Sequence, residues 1–224
     1  KGSLAALLFW ATSALALPYS NLVVFGDSLA DSGNNYLATG GAQTAVPLSG
    51  PTVPIYPYAS GRYSNGPVWT EYFASSLGLG LAPSLLGGNN YAFGGARVAG
   101  ASPVPTLQQQ VGLYLSANTV SANALYVIEG GGNDARDVLD LVLSGQDPTQ
   151  RIADYVLGMV DMIGTLAGLG ANHFLVWNIT DLGLVPAVTA QGAAAAQGAN
   201  NVVAAMNLLL TQALAALPGS DRRA

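Results

Sequence analysis

From Asn21 onward, short apolar runs alternate with longer amphipathic ones, the order expected of a parallel sheet covered by helices. Three runs read as strands, at residues 22–25, 124–129 and 174–178. "ALYVIE" and "FLVW" are apolar at nearly every position, as strands buried on both faces are. Between the strands, residues 67–77 predict a helix with Pro67 at its first position and Val68, Tyr72 and Leu77 as its apolar positions. Residues 106–115 predict a second helix. A longer one opens at Asp147-Pro148, carries Ile152, Val156, Met159 or Val160, Ile163 and Leu166 at three-to-four spacing, and ends near Gly168 and Gly170. The last lies within 193–217, with Val202, Val203, Met206, Leu209, Leu210, Ala213, Leu214 and Leu217 on one stripe and Pro218-Gly219 as its stop.

Two stretches break this alternation. Residues 33–66 are rich in Gly, Pro, Ser, Thr and Tyr and have no sustained period, and a loop this long inside a compact domain is usually functional or disordered. Its tyrosines, at 36, 56, 58 and 63, favour a wall facing a substrate, with a decorated surface loop as the other reading. At the other exception, Lys1 precedes the apolar run "LAALLFWATSALA", and Ala14-Leu15-Ala16 has the small-x-small form of a signal-peptidase site. Residues 1–16 therefore predict a signal peptide on an exported protein, and 17–224 a single domain. No later run is long enough to cross a bilayer.

Composition narrows the chemistry. Only 8% of the 224 residues are charged and the formal net charge is −5, so no basic stripe can neutralise the phosphates of a nucleic acid. Cysteine is absent and His173 is the sole histidine, which leaves too few soft ligands for zinc or an iron–sulfur cluster. A calcium site built from Asp and Asn oxygens stays open.

Three polar clusters follow apolar or glycine-rich segments: "GDSLADSGNN" (26–35), "NNYAFGGARV" (89–98) and "GGGND" (130–134). In the first, Gly26 permits a sharp turn that can expose the Ser28 hydroxyl, although a lone Ser between strand and helix also reads as a cap. The second brings Gly94 and Gly95 where backbone N–H groups can approach a ligand, or simply turn the chain. The third offers the Asn133 amide as a donor to a developing oxyanion. "GGGNDA" also matches the dinucleotide pattern G-x-G-x-x-A. Glu129 and Asp134 on either side of it would repel a pyrophosphate, and such a loop normally follows the first strand. No cofactor is therefore assigned.

Together the clusters resemble the GDSL, or SGNH, family of serine esterases and lipases, from about residue 21 to about 217. "FGDSLADSGN" is similar to the block that carries the nucleophile, which falls on Ser28. "NYAFGGARV" resembles the block whose glycine amide joins the oxyanion hole, best matched by Gly95 and next by Gly94. "GGGND" resembles the G-x-N-D block, whose Asn falls on Asn133. "HFLVWNITDLGLVPA" is similar to a strand-and-loop signature of secreted bacterial and plant members. The resemblance implies a three-layer α/β/α sandwich with a flavodoxin-like parallel sheet, and hydrolysis of small-molecule or lipid esters through an acyl-enzyme.

The family's base, a His preceded by Asp in D-x-x-H, has no match in these residues. His173 has Gly170 at the upstream place and falls in the strand signature; Asp221 has no His after it. The family's next parallel strand is missing too, since the last helix runs into "GSDRRA". The expectation is a domain incomplete at its C-terminus, cut from a longer esterase. A short, catalytically dead module that holds an acylated or glycan ligand is the competing expectation.

Overall fold

The computed structural model describes residues 19–40 and 61–217. The expected signal peptide at 1–16, residues 41–60 of the long loop with Tyr56 and Tyr58, and Asp221 lie outside them. In chain order the elements are β1 (Asn21–Gly26), α1 (Asn34–Ala38), α2 (Trp69–Ser76), α3 (Leu107–Ala117), β2 (Ala124–Glu129), α4 (Gly132–Leu143), α5 (Thr149–Gly168), β3 (His173–Val176), α6 (Pro186–Thr189) and α7 (Ala193–Ala215).

The strands form a parallel sheet in the order β1-β2-β3, with Gly26 opposite Glu129 and Ile128 opposite Val176. Along the other edge of β1 runs the segment 89–93, whose Tyr91 and Phe93 amides donate to the carbonyls of Val24 and Gly26 at 2.8 and 3.1 Å. Its bridge from Asn90 to Val24 is also parallel. Strand side chains alternate between faces, so the sheet sorts its apolar residues into two cores. Val23, Phe25, Tyr126 and Ile128 pack with α3, α4, α5 and α7. Leu22, Val24, Leu125 and Val127 pack with Ala74 of α2, and Trp69, Phe73 and Leu77 lean on them. Helices on both faces make this a three-layer α/β/α sandwich, as expected.

Local departures have local causes. The first predicted helix begins at Trp69 rather than Pro67, because the Glu71 carboxylate turns back to accept the Val68 N–H at 2.9 Å and sets the first turn there. Thr106 is a cap rather than a helical residue: its hydroxyl accepts from the Gln109 N–H at 3.1 Å. The buried stripe of α5 is Tyr155, Met159, Met162, Ile163 and Leu166: Met159, Ile163 and Leu166 are as predicted, Tyr155 and Met162 join them, and Ile152 and Val156 are only half-buried. On α7, Leu209 faces outward and Val203, Met206 and Leu210 carry the packing. β3 starts at His173 and ends at Val176, and the Trp177 N–H still reaches Ile128 O at 3.0 Å. No helix among the described residues is long and apolar enough to cross a membrane.

Candidate active site

The three candidate segments leave the sheet at the same end. β1 ends at Gly26, two residues before Ser28; Phe93, bonded to Gly26, is two residues before Gly95; Glu129, opposite Gly26, is four before Asn133. Ser28, Gly95 and Asn133 therefore follow the carboxyl ends of three adjacent parallel segments, where α/β folds gather their ligands. Direct contacts join the segments: Asn133 Nδ2 donates to Ala96 O at 3.0 Å, and Gly94 N donates to Asp31 Oδ2 at 2.9 Å.

Ser28 sits half-buried in the turn after β1. That turn is built by Asp27, whose side chain accepts the Leu29 N–H at 3.0 Å and whose carbonyl accepts from Ala30 and Asp31. Behind it, Gln110 of α3 is fully buried and clamps the end of β1: its side chain accepts Gly26 N and donates to Gly26 O, both at 2.9 Å. Gly26 must be glycine, since a Cβ there would lie 2.9 Å from both Ala30 Cβ and Glu129 O. Neither the hydroxyl nor the backbone N–H of Ser28 is hydrogen-bonded among the described residues.

The two glycines of the second block divide the work. The Gly94 N–H is taken by Asp31, its carbonyl accepts Asn35 Nδ2 at 2.7 Å, and a Cβ on it would lie 2.0 Å from the Tyr63 ring. Gly95 has φ +87°, a left-handed conformation costly to any other residue, and its N–H is unbonded among the described residues. Asn133 lies in the first turn of α4, on the positive end of a 12-residue helix, and one of its two side-chain N–H groups remains after the bond to Ala96.

Several residues that sequence reasoning left without a role hold this arrangement. The buried Asp31 accepts from Gly33, Asn34, Asn35 and Gly94, at 2.7 to 3.3 Å. Asn34 donates to the carbonyls of Asn90 and Ala92. Asn90 donates to Ala30 O and Ser32 Oγ. The signal available was the density of short polar residues in "DSGNN" and "NN". Tyr63, of the long loop, accepts from Asn35 at 2.8 Å and covers Gly94, which bears on the expected wall; Tyr36 packs on Gly61.

Acidic groups are concentrated behind the site. Burial pushes Asp27 up to about 7, against the Leu29 N–H and with help from the charges of Asp134 and Asp31. Burial and the neighbouring Asp27 hold Glu129 well above the usual carboxylate range, and Glu129 Oε2 is buried without a partner. Asp31 is raised by burial although four N–H groups oppose the shift. Asp134 is raised to about 6 by burial, which outweighs Arg151 and the Val98 N–H. No cluster of three or more His, Cys, Asp or Glu among the described residues is arranged to hold a metal ion.

His173 lies at the amino end of β3, opposite Leu125, exposed and edge-on to Tyr19 with ring centroids 5.3 Å apart. Leu125 pairs with Leu22, four residues before Gly26, so about 13 Å of strand separates its level from the turn of Ser28.

At the carboxyl edge of this parallel α/β sandwich, Ser28 and the Gly95 amide stand unbonded among the described residues, beside the remaining Asn133 side-chain donor. The family model described as GDSL-like lipase/acylhydrolase matches residues 22–219, and the chain belongs to that family. It is 32% identical over 174 residues to "Lipase 1" of Photorhabdus luminescens, covering 76% of this chain and 24% of that protein. It is 32% identical over 186 residues to "Inactive GDSL esterase/lipase-like protein 25" of Arabidopsis thaliana, covering 75% and 43%. With "Phosphatidylcholine-sterol acyltransferase" of Aeromonas hydrophila it shares 28% over 202 residues, covering 86% and 53%. The chain thus spans from about a quarter to about half of these three relatives.

Proposed function

We propose that the protein hydrolyses carboxylic esters through a Ser28 nucleophile and an acyl-enzyme. The Ser28 hydroxyl attacks the ester carbonyl, and the backbone N–H groups of Ser28 and Gly95 with Asn133 Nδ2 stabilise the oxyanion, each donor contributing about 3 kcal/mol at the transition state. The observation that carries this reading is that, among the described residues, the Ser28 and Gly95 N–H groups are unbonded at adjacent carboxyl ends while the Gly94 N–H is occupied. Export is part of the reading, supported by the basic start, apolar middle and small-residue exit of residues 1–16.

A serine needs a base, and these 224 residues contain no Asp-x-x-His. Turnover by this chain is accordingly slow and assisted by the oxyanion hole alone. The second reading, a catalytically dead module holding an acylated or glycan ligand, is favoured by one observation: the sole histidine stands at the far end of the sheet.

Hydrolysis of p-nitrophenyl acetate, with imidazole added as an external base, separates the two. The hydrolase reading expects a rate above the imidazole background that vanishes in Ser28→Ala and falls about 10²-fold in Asn133→Ala. A rate unchanged by Ser28→Ala would overturn it, and no rate above background favours the binding module.

A further inference from the structure

The loop that carries Gly95 is held residue by residue to neighbouring helices. Asn133 takes Ala96 O, both carboxyl oxygens of Asp134 accept the Val98 N–H at 3.2 Å, and Arg97 Nη1 donates to Gly95 O at 3.1 Å. Arg97 also forms a fork with Asp137 of α4, at 2.8 and 3.0 Å. All of these contacts lie within the loop or between it and α4. The start of α3 adds two backbone bonds, from Leu107 N to Arg97 O and Gln108 N to Val98 O, and among the described residues the side chain that ties both loop and α4 to a third element is Arg151 of α5. Its Nη2 bonds the Asp134 carboxylate, its Nη1 donates to Ala99 O at 2.9 Å, and its Nε lies 3.4 Å from Asp137. α5 reaches the loop closely because residue 158 is glycine: a Cβ there would lie 2.8 Å from Val98 Cγ1.

We propose that Arg151 is a positioning residue for the oxyanion hole, its guanidinium fork fixing residues 95–99 against α4 so that Gly95 and Asn133 keep their places. The role rests on the hydrolase reading but acts through geometry that can be observed without turnover. Asp134 follows Asn133 in the first turn of α4 and is fully buried, so the group that anchors Asp134 also anchors the helix end that presents the Asn133 amide. Arg97 cannot substitute, because it belongs to the loop being held. Arg is suited to the task since its planar fork holds a carboxylate and a carbonyl in fixed relative directions, which the rotating ammonium of Lys does not.

The test uses the full chain labelled with nitrogen-15, following the Gly95 backbone amide, the Asn133 side-chain amide and the exchange rate of the Val98 amide. Arg151→Met is expected to move the first two signals and speed Val98 exchange at least tenfold. Arg151→Lys keeps the charge but not the fork, and moves the same signals to a smaller degree. If Arg151→Met does not fold, the Lys variant decides. Leu210→Ala, a core change on α7, leaves these signals in place at a comparable loss of Tm. Unmoved Gly95 and Asn133 signals in the Arg151 variants, or equal movement in Leu210→Ala, would overturn the proposal. In the ester assay the positioning role lowers kcat at least tenfold with KM within twofold. A turnover insensitive to Ser28→Ala would remove the hydrolase reading while leaving the amide shifts to judge Arg151.

Discussion

The two ends of the sheet are both polar, and they treat their polar groups in opposite ways. At the amino end, Tyr126 Oη bonds Tyr114 Oη, Ser121 N and Ser121 O; Tyr114 Oη reaches Thr119 O; and Asn118 Nδ2 reaches Tyr91 Oη. A groove of about 570 Å³ opens there, lined by Tyr114, Asn118, Thr119 and Ser121, yet none of its buried polar side-chain atoms is left without a partner. At the carboxyl end, Glu129 Oε2 and Tyr155 Oη are buried and unpartnered, the Ser28 and Gly95 N–H groups are free, and four carboxyl groups are shifted upward. Trp69 Nε1 and Arg151 Nε, the latter ion-paired with Asp137 at 3.4 Å but without a hydrogen bond, complete the buried atoms lacking one among the described residues. Trp69 packs at a tilt against Trp177 just past the end of β3, and Arg151 bonds Asp134 in the first turn of α4, so both also belong to the carboxyl half. Native structures satisfy nearly all buried polar groups, and exceptions gather where chemistry is done. The groove lies over a well-bonded turn, whereas the unsatisfied groups gather around the candidate site.

Three perturbations sharpen this contrast, from the strongest to the weakest. Asp31→Ala removes the acceptor of four buried N–H groups, with an expected loss of about 4 kcal/mol and about 10 °C in Tm by calorimetry. A change within 2 °C would mean that the Asp31 network does not hold the carboxyl end together.

The second is a pH dependence. Asp27 and Asp134 bind protons more tightly when folded, at about 7 and about 6, than the ordinary 3.8. Their stabilising contribution is complete below about pH 4 and disappears as pH rises through 6 and 7. Tm is therefore expected to be roughly 5 °C lower at pH 8 than at pH 5. Asp27→Asn keeps an acceptor for the Leu29 N–H and removes the charge, so it flattens the curve; an unchanged slope would remove Asp27 as its source.

The smallest effect belongs to the amino end. His173→Ala leaves any Ser28-dependent turnover unchanged and alters stability by less than about 0.5 kcal/mol, as exposed substitutions usually do. A large fall in turnover would make the comparison of the two ends wrong.

Much of the fold was legible because it follows from local geometry. The unbroken apolar runs "LVVF" and "ALYVIE" mark strands buried on both faces, and the three-to-four spacing locates α5 and α7. Ser28 was legible for the same reason, as a polar turn directly after a buried run. The spacing locates Met159, Ile163 and Leu166 of the α5 stripe but misses its N-terminal turns, where Tyr155, packed under Gly131, takes the buried place instead of Ile152 and Val156. Arg151 was read as nothing, since a charge on an amphipathic helix ordinarily faces water.

By itself, then, the sequence determined the alternation of strand and helix, the two-sided sheet and the serine at its carboxyl edge, all properties of neighbouring residues. Only the tertiary structure distinguishes Gly94 from Gly95: the amide of the first is taken by Asp31, 63 positions away, and that of the second is unbonded among the described residues. It alone showed that Asp31, Asn34 and Asn90 are interior groups rather than a solvated loop. Periodicity is a consequence of backbone geometry over a few residues. Whether a polar group is bonded or left free is settled by what distant parts of the chain bring to it.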